Sequence, residues 1–338
     1  MQENRRVEWI DAARGIGIIL AMLIHTATSS IRENDIGVFI LYQFTITATM
    51  PVMMFLSGCS VSLSRSRYSQ MNFKDFVKKK SKSFLLPYLC YATIVYLIFE
   101  LTSRLPVIGT VMSRVGYGGM HPVHFLIGLL IGQNEYSVHV WFLYSLFVYE
   151  IISYLVFKYS KNNIPLYVLA VLFYLCQFIF NLSFSLAYLD GTGYLIYFAF
   201  GVFFTDRIVN KKLGISTTVS WIILFLAFMF LIRWYTLPYE IIKILIPLCA
   251  CMAITFWSQN ISGRCSEVLQ WLGKRSMTLY LFQQPFFGSA LGTLLYGVLG
   301  FPAWPTVFIS FVLSITMPLL IRQIFVRYKW FRTMFSIK

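Results

Sequence analysis

The stretch WIDAARGIGIILAMLIH, residues 9–25, places two ionisable side chains, Arg14 and His25, at the start of a long apolar segment. A charged side chain inside a membrane helix is costly, so its presence there indicates function. Ten residues lie between the two positions, and the eleven steps of about 100° make roughly three turns. We therefore expect both side chains on one helix face, about 16 Å apart along the axis.

The composition of the whole chain is typical of an integral membrane protein. Of its 338 residues, 58% are hydrophobic and 12% are charged, and the mean hydropathy is +0.70. The apolar residues come in repeated blocks of about 20, which is the length that a helix needs to cross a bilayer. A membrane barrel would instead show short alternating segments.

We therefore predict an all-α, polytopic membrane protein with a single domain over residues 1–338. The first helix is expected to be retained, since no small-residue cleavage site follows it. About ten spans are predicted, near 12–30, 37–62, 84–103, 138–157, 164–183, 191–205, 216–232, 241–258, 277–297 and 304–325.

The basic residues predict the orientation of these spans. With the N-terminus inside, 21 of the 28 lysines and arginines fall in cytoplasmic segments and five fall on the opposite side, while Arg14 and Arg322 lie within spans. The positive-inside rule then places both termini in the cytoplasm. Topology accounts for the net charge of +15, and no nucleic-acid partner is expected.

All four histidines lie in the first half of the chain, at His25, His121, His124 and His139. On the predicted topology they could meet near one outward-facing cavity. Histidine is the natural general base at neutral pH. The alternative is a structural histidine that is bonded to a backbone carbonyl. Near two of the histidines, residues 125–131 are too short to span, and they fit either a re-entrant segment or a surface helix.

Asp11 and Arg14 are three residues apart, which is close enough to pair on one helix face. A simple ion pair at the membrane interface is one interpretation. In the other, Arg14 projects into a cavity, where its planar fork can hold a phosphate, a carboxylate or a carbonyl oxygen. The spacing alone fits both.

Five segments occur in an order that resembles one known family. They are the Arg-x10-His stretch of residues 9–25, the Phe-Leu-Ser-Gly of 55–58 after Pro51, the basic run of 78–82 before Leu-Pro-Tyr at 86–88, the His-Val-Trp-Phe-Leu of 139–143 and residues 273–285. Together they resemble the membrane acyltransferase 3 family from about residue 8 to residue 322. One position differs, because Gln283 stands where the family often has histidine. Glutamine forms hydrogen bonds but takes no proton, so we assign Gln283 no acid or base role.

The resemblance implies an enzyme of the bacterial inner or plasma membrane. It would transfer an acyl group, usually acetyl from cytoplasmic acetyl-CoA, to a hydroxyl of an extracytoplasmic or lipid-linked glycan. Succinyl-CoA or another short acyl-CoA is also open. His25 would act as base or acyl relay, and Arg14 would orient the donor. No metal is expected, and the chain is expected to complete transfer without a fused acceptor domain.

The expected binding residues form two groups. The group for the glycan contains Asp11, Ser57, His139, Trp141, Tyr280 and Gln284. The group for the CoA donor contains Arg14, Lys78, Lys79, Lys274 and Arg275. For the lysines, topology and contact with anionic lipid headgroups are an alternative.

Two other functional classes fit the residues of the first helix. A secondary transporter or glycan flippase would use Arg14 and His25 in an ion or substrate pathway. A sensor would only bind its ligand. Consumption of acyl-CoA distinguishes the enzyme from both.

Overall fold

The structure is a computed structural model, and it describes residues 7–105, 119–179, 193–209 and 239–337, together with residues 214, 219, 221–223 and 226. Its described residues form helices and no strands. The first half contains α1 (Glu8–Thr26), α2 (Ser29–Asn34), α3 (Ile36–Leu63), α4 (Arg65–Ser69), α5 (Phe73–Lys80), α6 (Leu86–Ser103), α7 (Pro122–Ile131) and α8 (Trp141–Tyr159). The second half contains α9 (Ile164–Tyr174), α10 (Leu195–Val209), α11 (Tyr239–Asn260), α12 (Gly263–Gly273), α13 (Ser276–Gln283), α14 (Ala303–Phe325) and α15 (Lys329–Met334).

Short irregular helices join or extend several of these elements. A 3-10 turn, Val138–Val140, precedes α8, and π-helical turns lie at Ser81–Leu85, Leu175–Ile179, Phe286–Ala290 and Thr293–Val298. Single π-turns inside helices frequently occur at functional sites. The last two follow α13 directly and lie close to the end of α1.

The helical membrane class is confirmed. Five helices of the described part are long and apolar enough to cross a membrane, at Glu8–Thr26, Ile36–Leu63, Phe73–Ser103, Val138–Tyr159 and Ala303–Phe325. Shorter apolar helices occur at Pro122–Ile131, Ile164–Gln177, Leu195–Thr205, Ile244–Asn260 and Phe286–Val298. The predicted span at 216–232 lies largely outside the described residues. The count of ten and the orientation stay predictions.

Helices α1 and α12 approach each other closely because both carry glycine at their contact. A Cβ on Gly15 would collide with the Leu269 carbonyl oxygen, and a Cβ on Gly273 would collide with the Asp11 carbonyl oxygen. Small residues allow helices in a membrane to pack with their backbones in contact. This contact fixes the first two turns of α1, which carry Asp11 and Arg14.

Helices α3 and α10 also approach each other closely through glycines. A Cβ on Gly58 would meet the Phe198 carbonyl oxygen, and a Cβ on Gly201 would meet the Phe55 carbonyl oxygen. Helix α3 also packs along α1. Through this packing and the two glycine contacts, α1, α3, α10 and α12 form one closely packed group.

The amphipathic helix α5 is held against α8 by an aromatic contact and an ion pair. Phe76 is fully buried and stacks on Tyr154, with ring centroids 4.4 Å apart. One turn later, Lys80 is buried, pairs with Glu150 and donates to the Tyr68 hydroxyl. Burying both charges is tolerated because they are paired. The exposed face of α5 is the one that carries Lys78 and Lys79.

Candidate active site

A basic cavity lies beside the start of α1 and has a volume of about 560 Å³. Helix α1, the end of α3, the turn between α12 and α13, α14 and the segment after α15 all contribute to its wall. Among the described residues, its charged lining comprises one carboxylate, Asp11, and five basic side chains, Arg14, Arg67, Lys274, Arg275 and Arg322. We call it the arginine cavity. Its size is in the range of small-molecule sites, and its charge suits an anion.

Arg14 is held in this cavity by two contacts. Its Nη2 donates to the Ser60 hydroxyl at 2.7 Å, and its Nη1 lies 3.8 Å from the Asp11 carboxylate. The Arg14 side chain is 29% exposed, whereas Asp11 is 2% exposed. The predicted pairing is therefore present, and Arg14 also lines a cavity, so both interpretations of its position hold together. The two contacts fix the plane of the guanidinium group, which has five N–H donors.

The other predicted donor-binding residues divide between two places. Lys274 and Arg275 line the arginine cavity. Lys78 and Lys79 do not line it, since they lie on the exposed face of α5.

Sequence reasoning did not select Arg67 or Arg322, both of which line the cavity. For Arg322 a signal was present. It is the second arginine inside a predicted span, and the membrane cost that marked Arg14 applies to it as well.

A second group of side chains, which we call the histidine cluster, consists of His25, His139, Tyr91, Tyr280 and Gln284. The rings of His25 and His139 lie 6.4 Å apart between centroids, edge to face. Tyr91 and Tyr280 approach the His139 ring to 5.5 Å and 5.4 Å. His139, Tyr280 and Gln284 are buried, and His25 is partly exposed. Two histidines, 114 residues apart in sequence, thus meet in one place.

Hydrogen bonds to the backbone hold this cluster. The Tyr280 hydroxyl donates to the His139 carbonyl oxygen, and the Tyr91 hydroxyl donates to the Gln284 carbonyl oxygen. His139 Nε2 lies 3.3 Å from the Leu281 carbonyl oxygen. A carbonyl oxygen only accepts, so this bond requires the proton on Nε2 and leaves Nδ1 as an acceptor.

Gln284 and His25 come close together across a glycine. A Cβ on Gly288 would lie 2.8 Å from Gln284 Nε2 and 3.1 Å from His25 Cβ. Both distances are too short for an ordinary side chain. The Gln284 Oε1 accepts from the Ser289 hydroxyl at 2.8 Å, which orients the amide. Its Nε2 is therefore directed toward the glycine and the end of α1.

The remaining predicted site residues lie elsewhere. Trp141 packs its ring against Tyr194 at 5.5 Å, and the Ser57 hydroxyl donates to the Met53 carbonyl of its own helix at 2.8 Å. Ser60, three residues after Ser57, is the serine that contacts Arg14.

The four histidines do not all converge. His121 caps the start of α7, and His124 is exposed and pairs with Glu135 at 3.0 Å. Only His25 and His139 are brought together, so the expected convergence holds for two histidines out of four.

Gln283 is fully buried beside the cluster, and neither atom of its amide has a hydrogen-bond partner within the described part of the chain. A buried amide without partners costs about 1–3 kcal/mol per lost hydrogen bond. Such groups are rare in folded proteins, so this amide needs a structural or functional explanation.

The long apolar helices define an integral membrane protein. A family model described as an acyltransferase domain, that of acyltransferase 3, matches residues 7–323, which is nearly the whole chain. The chain therefore belongs to the acyltransferase 3 family and is a membrane acyltransferase. No curated protein and no solved structure matches it.

Proposed function

We propose that this acyltransferase moves an acetyl group from cytoplasmic acetyl-CoA to a hydroxyl of an extracytoplasmic or lipid-linked glycan. The observation that carries the proposal is the charge of the arginine cavity, with its five basic side chains and one carboxylate. CoA has a diphosphate and a 3′-phosphate, and arginine forks bind phosphate oxygens in pairs. A succinyl or other short acyl-CoA carries the same phosphates and fits the same cavity.

In this proposal Arg14 orients the donor. Asp11 and Ser60 hold its fork, and the fork faces the phosphates or the thioester oxygen, where negative charge develops during the reaction. Lys274, Arg275 and Arg322 supply further positive charge. Lys78 and Lys79, on the exposed face of α5, suit contact with anionic lipid headgroups instead.

His25 removes the proton of the acceptor hydroxyl. The hydroxyl oxygen bonds to the thioester carbonyl carbon, the carbon–sulfur bond breaks, and the leaving thiolate takes up a proton to give free CoA and an ester. As a relay, an unprotonated His25 nitrogen would first take the acyl group from the thioester and then pass it to the hydroxyl. Both routes need a neutral imidazole at this position.

The separation of the two groups fits a donor with a long arm. Arg14 and His25 lie about 16 Å apart along α1 by helix rise, and CoA carries its acyl group at the end of a flexible pantetheine arm. On the predicted topology Arg14 lies toward the cytoplasm and His25 toward the outside. The donor would then enter at the arginine cavity and deliver its acyl group at the histidine cluster.

The acceptor sugar is assigned to the histidine cluster. His139 faces His25, Tyr280 packs against His139, and Gln284 approaches His25 across Gly288. Imidazole, phenol and amide groups are suited to hydroxyl-rich ligands. The Gln283 amide, which has no hydrogen-bond partner among the described residues, would join them on binding. Trp141 packs against Tyr194 instead, and we assign it no contact with the sugar.

Mass spectrometry of surface glycans from cells with and without the gene tests the proposal. We expect the glycan of the deletion strain to be lighter by one acetyl group per modified residue. A mass difference of one succinyl group would identify the other donor. If the deletion strain lacks the glycan at its surface but retains glycan of unchanged mass inside the cell, the proposal is contradicted and transport is favoured.

A further inference from the structure

The segment that follows α14 lies beyond the residues matched by the family model, which end at 323, yet it packs against α13 and lines the arginine cavity. Phe331 on α15 and Phe335, the first residue after that helix, are 3% and 1% exposed, and Ile337 is 8% exposed. Terminal segments usually fray unless they are docked by such contacts. The position of this segment is therefore fixed by the protein interior.

Its anchor is α13, the helix that carries Tyr280. The ring of Phe282 stacks on Phe331 at 5.7 Å and meets Phe335 edge to face at 4.9 Å. On its other side Phe282 meets Tyr91 at 5.6 Å, and Tyr91 belongs to the histidine cluster. Aromatic contacts through Phe282 thus connect this segment to the histidine cluster.

The two residues after Phe335 form part of the wall of the arginine cavity. Ser336 and Ile337 line it together with Arg14 and Arg322. Ser336 has a φ of 52°, in the left-handed region that residues other than glycine rarely adopt. Such a conformation persists only when the surroundings hold it in place, and it is frequent at sites that clamp a ligand. Here the anchored Phe335 on one side and the buried Ile337 on the other hold Ser336 at the cavity.

We propose that Ser336 is a donor-binding residue whose hydroxyl contacts the phosphate groups of the acyl-CoA, and that α15 positions it. The inference rests on the proposed function, because it needs a polyanionic donor in the arginine cavity. A hydroxyl donates readily to a phosphate oxygen, and the neighbouring guanidinium groups supply the charge. Recognition of the donor then extends past the family-matched part of the chain.

A pair of substitutions that differ only in charge tests this role. Ser336→Glu places a carboxylate among the phosphates, whereas Ser336→Gln adds the same bulk without charge. Binding of acetyl-CoA to the purified full-length protein in detergent is measured by calorimetry, together with the KM for the acceptor. We expect acetyl-CoA to bind at least tenfold more weakly to Ser336→Glu than to Ser336→Gln, with an unchanged acceptor KM.

Thr333→Glu is the matched control, because Thr333 is exposed on α15, three residues before Ser336, and does not line the cavity. It should bind acetyl-CoA as the unmodified protein does. Equal binding by the Glu and Gln variants at position 336 would overturn the inference, and so would an equal loss in Thr333→Glu. Arg322→Gln separates the two proposals. If it weakens binding while Ser336→Glu does not, only the role of Ser336 fails, whereas unchanged binding in both means that the donor site itself is wrong.

Discussion

The partly exposed imidazole of His25, on the membrane helix α1, faces the buried ring of His139, with 6.4 Å between the ring centroids. We predict that His25→Ala lowers the rate of acyl transfer by at least about 100-fold, the usual contribution of a positioned general base. The measurement is acyl transfer from labelled acetyl-CoA by the purified protein, with thermal unfolding in detergent to confirm folding. His124→Ala is the control, since that residue is exposed and pairs with Glu135. Full activity in His25→Ala would exclude the assigned role.

The proposed binding of acetyl-CoA by Arg14 depends on the planar shape of its guanidinium group as well as on its charge. We predict that Arg14→Lys weakens acetyl-CoA binding by about ten- to a hundredfold, because a point charge loses about one charge-assisted hydrogen bond of ~1.5–3 kcal/mol. Arg32→Lys is the matched control. Arg32 stacks over the Tyr42 ring at 3.9 Å, far from the arginine cavity in the predicted topology. An unchanged dissociation constant for Arg14→Lys would contradict its place in the donor site.

Among the individual residues, the sequence could identify those whose side chains are costly to place inside a membrane. Membrane charge marked Arg14 and His25, and the same cost could have marked Arg322. Ser60 and Tyr91 carry no such signal, because a serine or tyrosine inside a membrane protein is common and its partner is far away in sequence. The contact of Tyr91 with Gln284 spans 193 residues. Such contacts depend on how helices pack, which local spacing does not determine.

At the scale of elements, the ion pair of Lys80 and Glu150 joins α5 to α8 inside the protein. We predict that Glu150→Leu destabilises the fold by about 3–5 kcal/mol, because it leaves the Lys80 charge buried and uncompensated. The double variant Lys80→Met with Glu150→Leu should recover most of this loss, since it removes both charges. The measurement is the midpoint of thermal unfolding in detergent.

The exposed pair of His124 and Glu135 provides the matched control for that prediction. Both side chains are more than 60% exposed, and exposed pairs contribute about 0–1 kcal/mol. Glu135→Leu should therefore leave the unfolding midpoint nearly unchanged. If the double variant at positions 80 and 150 is as unstable as Glu150→Leu alone, the uncompensated charge is not the cause.

Helix α5 has a burial pattern that its charge alone does not reveal. Phe76 and Lys80 are four residues apart and both are buried, whereas Lys78 and Lys79 between them are exposed. The run of three lysines in the sequence hides this division, because charge alone assigns all of them to the surface. The five long apolar helices were predictable from apolar blocks, whereas the close contacts through Gly15 and Gly273 require the packed structure.

For the molecule as a whole, the predicted orientation has a direct test in a native cysteine. Cys265 is exposed on α12, and the other five cysteines are buried or partly buried. We predict that a membrane-impermeant maleimide labels Cys265 in inside-out vesicles and not in right-side-out vesicles, because α12 lies in a segment predicted to be cytoplasmic.

Cys265→Ser should abolish that labelling. Adding His124→Cys to the Cys265→Ser background should then restore labelling from the outer face only, because position 124 is exposed at the opposite end of the predicted topology. Labelling of Cys265 from the outside would reverse the orientation, and with it the assignment of the arginine cavity to the cytoplasm.

In the proposed mechanism, donor and acceptor reach the protein from opposite faces of the membrane. Proteoliposomes of uniform orientation, with labelled acetyl-CoA on one side and a glycan acceptor on the other, test this mechanism. We predict labelled glycan only when acetyl-CoA is supplied at the face that carries Arg14, and none when the two substrates are exchanged. Equal transfer in both arrangements, or transfer only from the opposite face, would contradict this mechanism.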